Sequence, residues 1–171
     1  MDSYVKKNFD NFESYCDDVF KHYQNGYKIK YYKYVYNTIL KLYITVTLYE
    51  KTKRKNEYGY FCAKNKTINE IAILINDKSS KGYKIDFIDI KNIDLYNHES
   101  RMNVFVIFKK IPTNKIYCIT CHPYIDGQSI VEKLKIKNNK DEKYDFEFYQ
   151  LVKCGEPRVD IYYLVTFYSK I

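Results

Sequence analysis

Apolar positions along this chain switch between two periods, and the switch recurs. Over residues 7–24, Phe9, Phe12, Cys16, Val19 and Tyr23 step by three and four, which predicts one face of a helix. Gly26 follows where a C-terminal cap belongs, because glycine takes the left-handed conformation without strain. A second helix is predicted from Thr67. Thr67 and Glu70 have capping-box spacing, Ile68, Ile71, Ala72 and Ile75 form a stripe, and Gly82 closes the connection. A third is predicted from Asp126 as N-cap, with Ile130, Val131 and Leu134 facing the core and Asn138-Asn139 ending the pattern.

Two strands are predicted after each helix, at residues 29–36 and 41–51, 84–90 and 103–111, and 144–152 and 159–169. In the second of these, Leu42, Ile44, Val46 and Leu48 alternate with Tyr43, Thr45, Thr47 and Tyr49, the period of a strand with one covered face. The aliphatic set is the expected covered face and the Tyr-Thr set the expected exposed one. Further strands are predicted before the second and third helices, at 58–63 and 115–120. The first helix has only a stub before it, at Tyr4-Val5.

A short motif ties these patterns together. Gly26-Tyr27-Lys28-Ile29-Lys30-Tyr31 recurs as Gly82-Tyr83-Lys84-Ile85-Asp86-Phe87, and in degenerate form as Lys143-Tyr144-Asp145-Phe146-Glu147-Phe148. The expected fold is therefore α+β: three tandem (β)αββ units, with antiparallel sheet or sheets and helices packed on one face. The units are residues 1–51, 56–112 and 114–171, within one compact domain.

Composition changes this picture in one respect. The chain has 171 residues, 46% hydrophobic and 29% charged, an ordinary globular balance. Yet it holds 21 Tyr, 10 Phe and no Trp, and its only arginines are Arg54, Arg101 and Arg158. Lys, Asn, Ile, Tyr and Phe are read from AT-rich codons, so genome bias accounts for much of the tyrosine and for part of the net charge of +8. Nucleic-acid readers also favour Arg over Lys for bidentate contacts. The polar residues 1–18 lack the apolar segment of an export signal, and no run reaches the length of a membrane span. The five cysteines, Cys16, Cys62, Cys118, Cys121 and Cys154, are accordingly read as reduced thiols of a cytoplasmic protein that does not bind membranes.

Candidate chemistry is sparse. Cys118-Ile119-Thr120-Cys121-His122 spells a haem-attachment pattern, but it lies in a predicted strand that sends the two cysteines to opposite faces, and the only methionines are Met1 and Met102. As zinc ligands, Cys118, Cys121 and His122 lack a second knuckle. No phosphate loop and no nucleophile–base signature is present, so neither a catalytic residue nor a cofactor is expected. The most conspicuous signal is interleaved Tyr and Lys. It serves base stacking and phosphate neutralisation, or, as the simpler account, cross-strand packing.

The reading that follows is a non-enzymatic binding protein of viral or mobile-element origin, which blocks a host factor such as a defence protein by direct contact. Its expected contact residues are Tyr43, Thr45, Thr47 and Tyr49, with Lys51, Lys53, Arg54 and Lys55 beside them. The alternatives are a nucleic-acid-binding module on the same Tyr/Lys-rich sheet face, and a metal-stabilised structural subunit using Cys118, Cys121 and His122.

Overall fold

The structure is a computed structural model that describes residues 3–8, 11–37, 39, 42–53, 56–96, 99–113, 115–124, 144–153 and 162–170. Its elements are β1 (Ser3–Asn8), α1 (Phe12–Gln24), β2 (Tyr27–Asn37), β3 (Leu42–Lys51), β4 (Tyr58–Thr67), α2 (Ile68–Ser80), β5 (Tyr83–Tyr96), β6 (Glu99–Lys110), β7 (Ile116–Tyr124), β8 (Asp145–Lys153) and β9 (Tyr162–Lys170). The fold is α+β and mostly β. The strands form three antiparallel three-stranded sheets, in the orders β1-β3-β2, β4-β6-β5 and β7-β9-β8. In each sheet the strand that comes last in sequence lies in the middle. The predicted third helix, and with it Ile130, Val131 and Leu134, lies outside the described residues, as does Cys154.

Local chemistry sets the helix ends. The Asn11 side chain accepts from the Ser14 N–H at 2.9 Å, so α1 starts there and not at residue 7. Lys7 and Asn8 belong instead to β1, a full strand paired with β3 from Ser3↔Glu50 to Asn8↔Thr45. The sequence Ser-Tyr-Val-Lys-Lys-Asn shows little alternation, which is why only a stub was legible. At α2 the capping box is complete. The Glu70 N–H donates to Thr67 Oγ1 at 3.3 Å, and the Thr67 N–H donates to Glu70 Oε2 at 2.8 Å.

Gly26 and Gly82 follow the two helices with φ of 82° and 79°, the left-handed region. A Cβ added at Gly82 would meet nothing closer than 3.9 Å, so the cost of a side chain there is conformational alone. Gly82→Ala is expected to lower stability by about 1 kcal/mol, read as a shift in the urea midpoint at unchanged m. An unchanged midpoint would contradict the assignment.

The strand that follows each helix position carries a bulge at a matching place. The register slips between Ile29 and Tyr31 on β2, between Ile85 and Phe87 on β5, and between Phe146 and Phe148 on β8. The extra residues are Lys30, Asp86 and Glu147, the fifth position of the recurring six-residue motif in every case. A bulge kinks its strand and increases the local twist.

Two cores separate the layers. One holds Tyr15, Cys16, Val19 and Tyr23 of α1 with Tyr49 of β3 and Phe105 and Ile107 of β6. The other holds Ile71 and Ile75 of α2 with Val104, Val106 and Phe108 of β6 and Tyr163, Val165 and Phe167 of β9. The order through the molecule is first sheet, α1, second sheet, α2, third sheet. The expectation of helices on one face is therefore corrected for the second sheet, which has a helix on each side. The cause is visible in β6, where Val104 to Phe108 are all fully buried, an unbroken apolar run that needs cover on both faces.

At the bulged edges the sheets meet directly. Lys28 Nζ donates to Asp86 Oδ1 at 2.6 Å, joining the first sheet to the second. Gln150 of β8 pairs with the Ile90 backbone like a short strand. Its Oε1 accepts from the N–H and its Nε2 donates to the carbonyl, both at 3.0 Å. On the opposite side Asn76 of α2 does the same for Tyr117 of β7, at 2.8 and 3.0 Å.

Candidate interaction surface

The predicted contact face is covered, not exposed. Thr45, Thr47 and Tyr49 are buried. The His22 ring of α1 stacks on Tyr49 with centroids 4.3 Å apart, and Lys91 of β5 donates to Thr45 Oγ1 at 3.0 Å. Period-2 alternation shows that a strand has two different faces, but hydrophobicity alone does not say which one a neighbour takes. Here α1 brings its own tyrosines, Tyr15 and Tyr23, and an aromatic, hydroxyl-bearing face packs against them. Tyr43 enters the sheet opposite Tyr36. Lys51 and Lys53 are exposed at the end of β3, while Arg54 and Lys55 lie outside the described residues.

The face of the first sheet turned away from α1 is the aliphatic one; Ile44 is buried on it, and its open part lies at Val5 and Tyr31. Val5 of β1 and Tyr31 of β2 flank Leu48 of β3 in one cross-strand row. The same row, counted from the bulge, is Tyr60–Ile107–Phe87 in the second sheet and Ile119–Phe167–Phe148 in the third. In the second sheet that row lies under α1. Phe20 stacks on Tyr60 at 4.3 Å, Tyr60 donates to Asp17 at 2.7 Å, and Ile107 is fully buried. In the third sheet it packs in the core with α2, and Ile119 and Phe167 are buried. In the first sheet, Val5 is 61% and Tyr31 59% exposed, and no helix among the described residues lies over them. Val46 and Leu48 are half-buried beside them, and Lys33, across from Val46, is exposed.

These residues are the ones that sequence reasoning missed, and the motif held the signal. Tyr31 occupies the sixth position, where the other copies have Phe87 and Phe148. A motif position that packs against a core in two sheets and is open in the first marks an unpartnered face.

A polar junction lies where the three sheets converge. Asp89 and Lys91 are buried, 1% and 8% exposed, with Lys91 Nζ 3.4 Å from Asp89 Oδ2 and 4.2 Å from the Tyr15 ring centroid. Tyr32 donates to Asp89 Oδ1 at 3.1 Å, and Gln150 Nε2 reaches the same oxygen at 3.4 Å. Burial first, and then the Asp89 charge, push the Tyr32 phenol well above its ordinary range, so it stays neutral.

Tyr32 and Gln150 also line a cleft of about 390 Å³ with Asp86, Phe87, Glu147 and Phe148. Its carboxylates are already engaged, Asp86 by Lys28, and Glu147 by Lys115 and Ser169. Burial alone would raise the Glu147 pKa. The bonds from Lys115 and Ser169, with Lys84 nearby, outweigh it and hold the carboxyl below its usual range. The Lys28–Asp86 pair joins the first sheet to the second, whereas Lys115, Glu147 and Ser169 tie the third segment together, and the Glu147 carboxyl, held low, is not poised for proton transfer near neutral pH.

The cysteine motif does not converge. On β7, Cys118 lies opposite Tyr168 and Cys121 opposite Val165, so an odd spacing sends them to opposite faces of the sheet. Burial pushes the Cys121 thiol up to about 12. Among the described residues no three His, Cys, Asp or Glu side chains gather as metal ligands, and no helix is long and apolar enough to cross a membrane. No family model, no curated protein and no solved structure matches this chain.

Proposed function

We propose that this chain is a non-enzymatic binding protein that acts by protein–protein contact, with the open face of the first sheet as its contact surface. The observation that carries this reading is the exposure of Val5 and Tyr31 at register positions whose counterparts are covered by a helix. An apolar row rimmed by polar residues is the usual mark of an interaction site, and tyrosine is a common anchor in one. The three segments are, in the same reading, copies of one βαββ unit. The matching bulges support this, as does a repeated charge pairing: Lys28 reaches Asp86, and Lys84, its counterpart, acts on Glu147, the counterpart of Asp86. The blocking of a host factor, argued from composition, is the role we assign to the contact.

A photo-crosslinking residue at position 31, with a control at the exposed Lys81, tests the reading in lysate of the cells in which the chain acts. The expected result is a protein adduct at position 31 alone. Unlabelled native chain should compete it away, and a Tyr31→Asp competitor should be weaker by about tenfold or more. A nuclease-sensitive adduct would favour a nucleic-acid module. Adducts that no competitor reduces would end the reading.

A further inference from the structure

The geometry points to an acidic amphipathic helix of another protein as the occupant of this open face, laid across β1-β3-β2 as α1 lies across the second sheet; the inference rests on the protein-binding reading above. The molecule seats a helix on this register row twice, α1 on the second sheet and α2 on the third. The α1 contact shows what such a helix presents. Glu13, Asp17 and Phe20 share one face, at i, i+4 and i+7. Phe20 stacks on Tyr60 with planes 25° apart, Asp17 accepts from the Tyr60 hydroxyl, and Glu13 lies 3.0 Å from Lys64. Tyr15, Cys16, Val19 and Tyr23 form the buried centre of the contact, and the Phe20 ring with the two carboxylates forms its edge.

The open face requires a carboxylate for its own reason. Beside its apolar row, at the register position of Asp89 in the second sheet and Gln150 in the third, it carries Lys33. The charge that approaches this corner must be negative. A second copy of the chain is a poorer occupant, because it carries a net charge of +8 and a two-fold contact brings Lys33 toward its own copy. An extended segment is poorer too, since strand addition takes place at the β1 or β2 edge and leaves Val5, Leu48 and Tyr31 uncovered.

The test uses the full chain and three synthetic peptides. The first is a side-chain-stapled amphipathic helix with Phe and Leu one turn apart and two Glu on the same face. The second has the same composition with a central proline and no staple, and the third has Lys for Glu. Backbone amide shifts of the isotope-labelled chain are followed during titration. The stapled acidic peptide is expected to move amides of β1, β2 and β3 around Val5, Tyr31 and Leu48. The proline and Lys peptides should bind about tenfold more weakly or worse. Lys33→Glu should exchange the preference between the Glu and Lys helices.

Equal or tighter binding of the proline peptide, shifts confined to one strand edge, or no binding of any peptide would each overturn the helix assignment. So would sedimentation showing a dimer that Tyr31→Lys dissolves. Competed crosslinking at position 31 alongside such a failure leaves the protein-binding surface standing and removes only the helix. Loss of both removes the surface as well.

Discussion

Lys91→Met is expected to destabilise the fold by about 3–5 kcal/mol, a large part of the stability of an ordinary domain. Lys91 is 8% exposed and is the counter-ion of Asp89, which is 1% exposed. Methionine fills much of the same volume, so the loss is not chiefly a cavity. It arises because Asp89 is left charged and buried, while Thr45 Oγ1 and the Tyr15 ring lose their cation. Asp89→Asn in the same background removes the uncompensated charge, and an Asn side chain retains acceptors for Tyr32 and Gln150. The double variant is therefore expected to regain most of the loss, and urea denaturation of the four proteins gives the coupling directly. Losses that simply add would mean the two side chains do not act as a pair.

Phe105→Ala is expected to cost about 3–5 kcal/mol, the usual range for emptying a buried phenylalanine site. Phe105 is fully buried and meets Tyr15, Tyr60 and Phe87 at steep angles, with centroids 6.0, 6.1 and 6.1 Å away. Rigid rings of this kind close poorly over a void. Phe108 stands on the same strand but faces α2. Hydrogen exchange should separate the two: Phe105→Ala loosening α1, and Phe108→Ala loosening α2. The same protection pattern from both variants would contradict the assignment of β6 to two distinct cores.

Much of this arrangement was legible in the residues. The capping box at Thr67, the left-handed Gly26 and Gly82, the second helix and the approximate places of the strands among the described residues are in place, while the first helix starts at Phe12 and not at residue 7. Two things were not legible. β1 has two adjacent apolar residues, Tyr4 and Val5, followed by two lysines, so periodicity had almost nothing to register. The covered face of β3 was inverted, because Ile44, Val46 and Leu48 are the greasier set, yet α1 packs against Thr45, Thr47 and Tyr49. Hydrophobicity ranks faces by transfer from water, whereas the packing partner selects by shape and by ring contacts as well, such as His22 of α1 on Tyr49. The site followed from the same error: the Tyr-Thr face expected to be open is closed, and the aliphatic face expected to be closed, although Ile44 is buried on it, is open at Val5 and Tyr31. Comparison of Tyr31 with Phe87 and Phe148 within the chain was the available route to the correct face.

The placement of the last strand of each segment at the centre of its sheet bears on how the chain acquires its shape during synthesis. β1 and β2 each pair with β3 and not with each other, and the same holds for β4 and β5 with β6 and for β7 and β8 with β9. A nascent chain emerging N-terminus first therefore exposes two strands with no ladder to join until the third leaves the ribosome. α1 then waits longer still, because Phe105 and Ile107, which close its far side, are made some eighty residues after it. Translation pauses after residue 51 would hold a sheet whose helix is covered on one side only, the stage at which this chain is most open to capture by a chaperone or to pairing with the wrong neighbour.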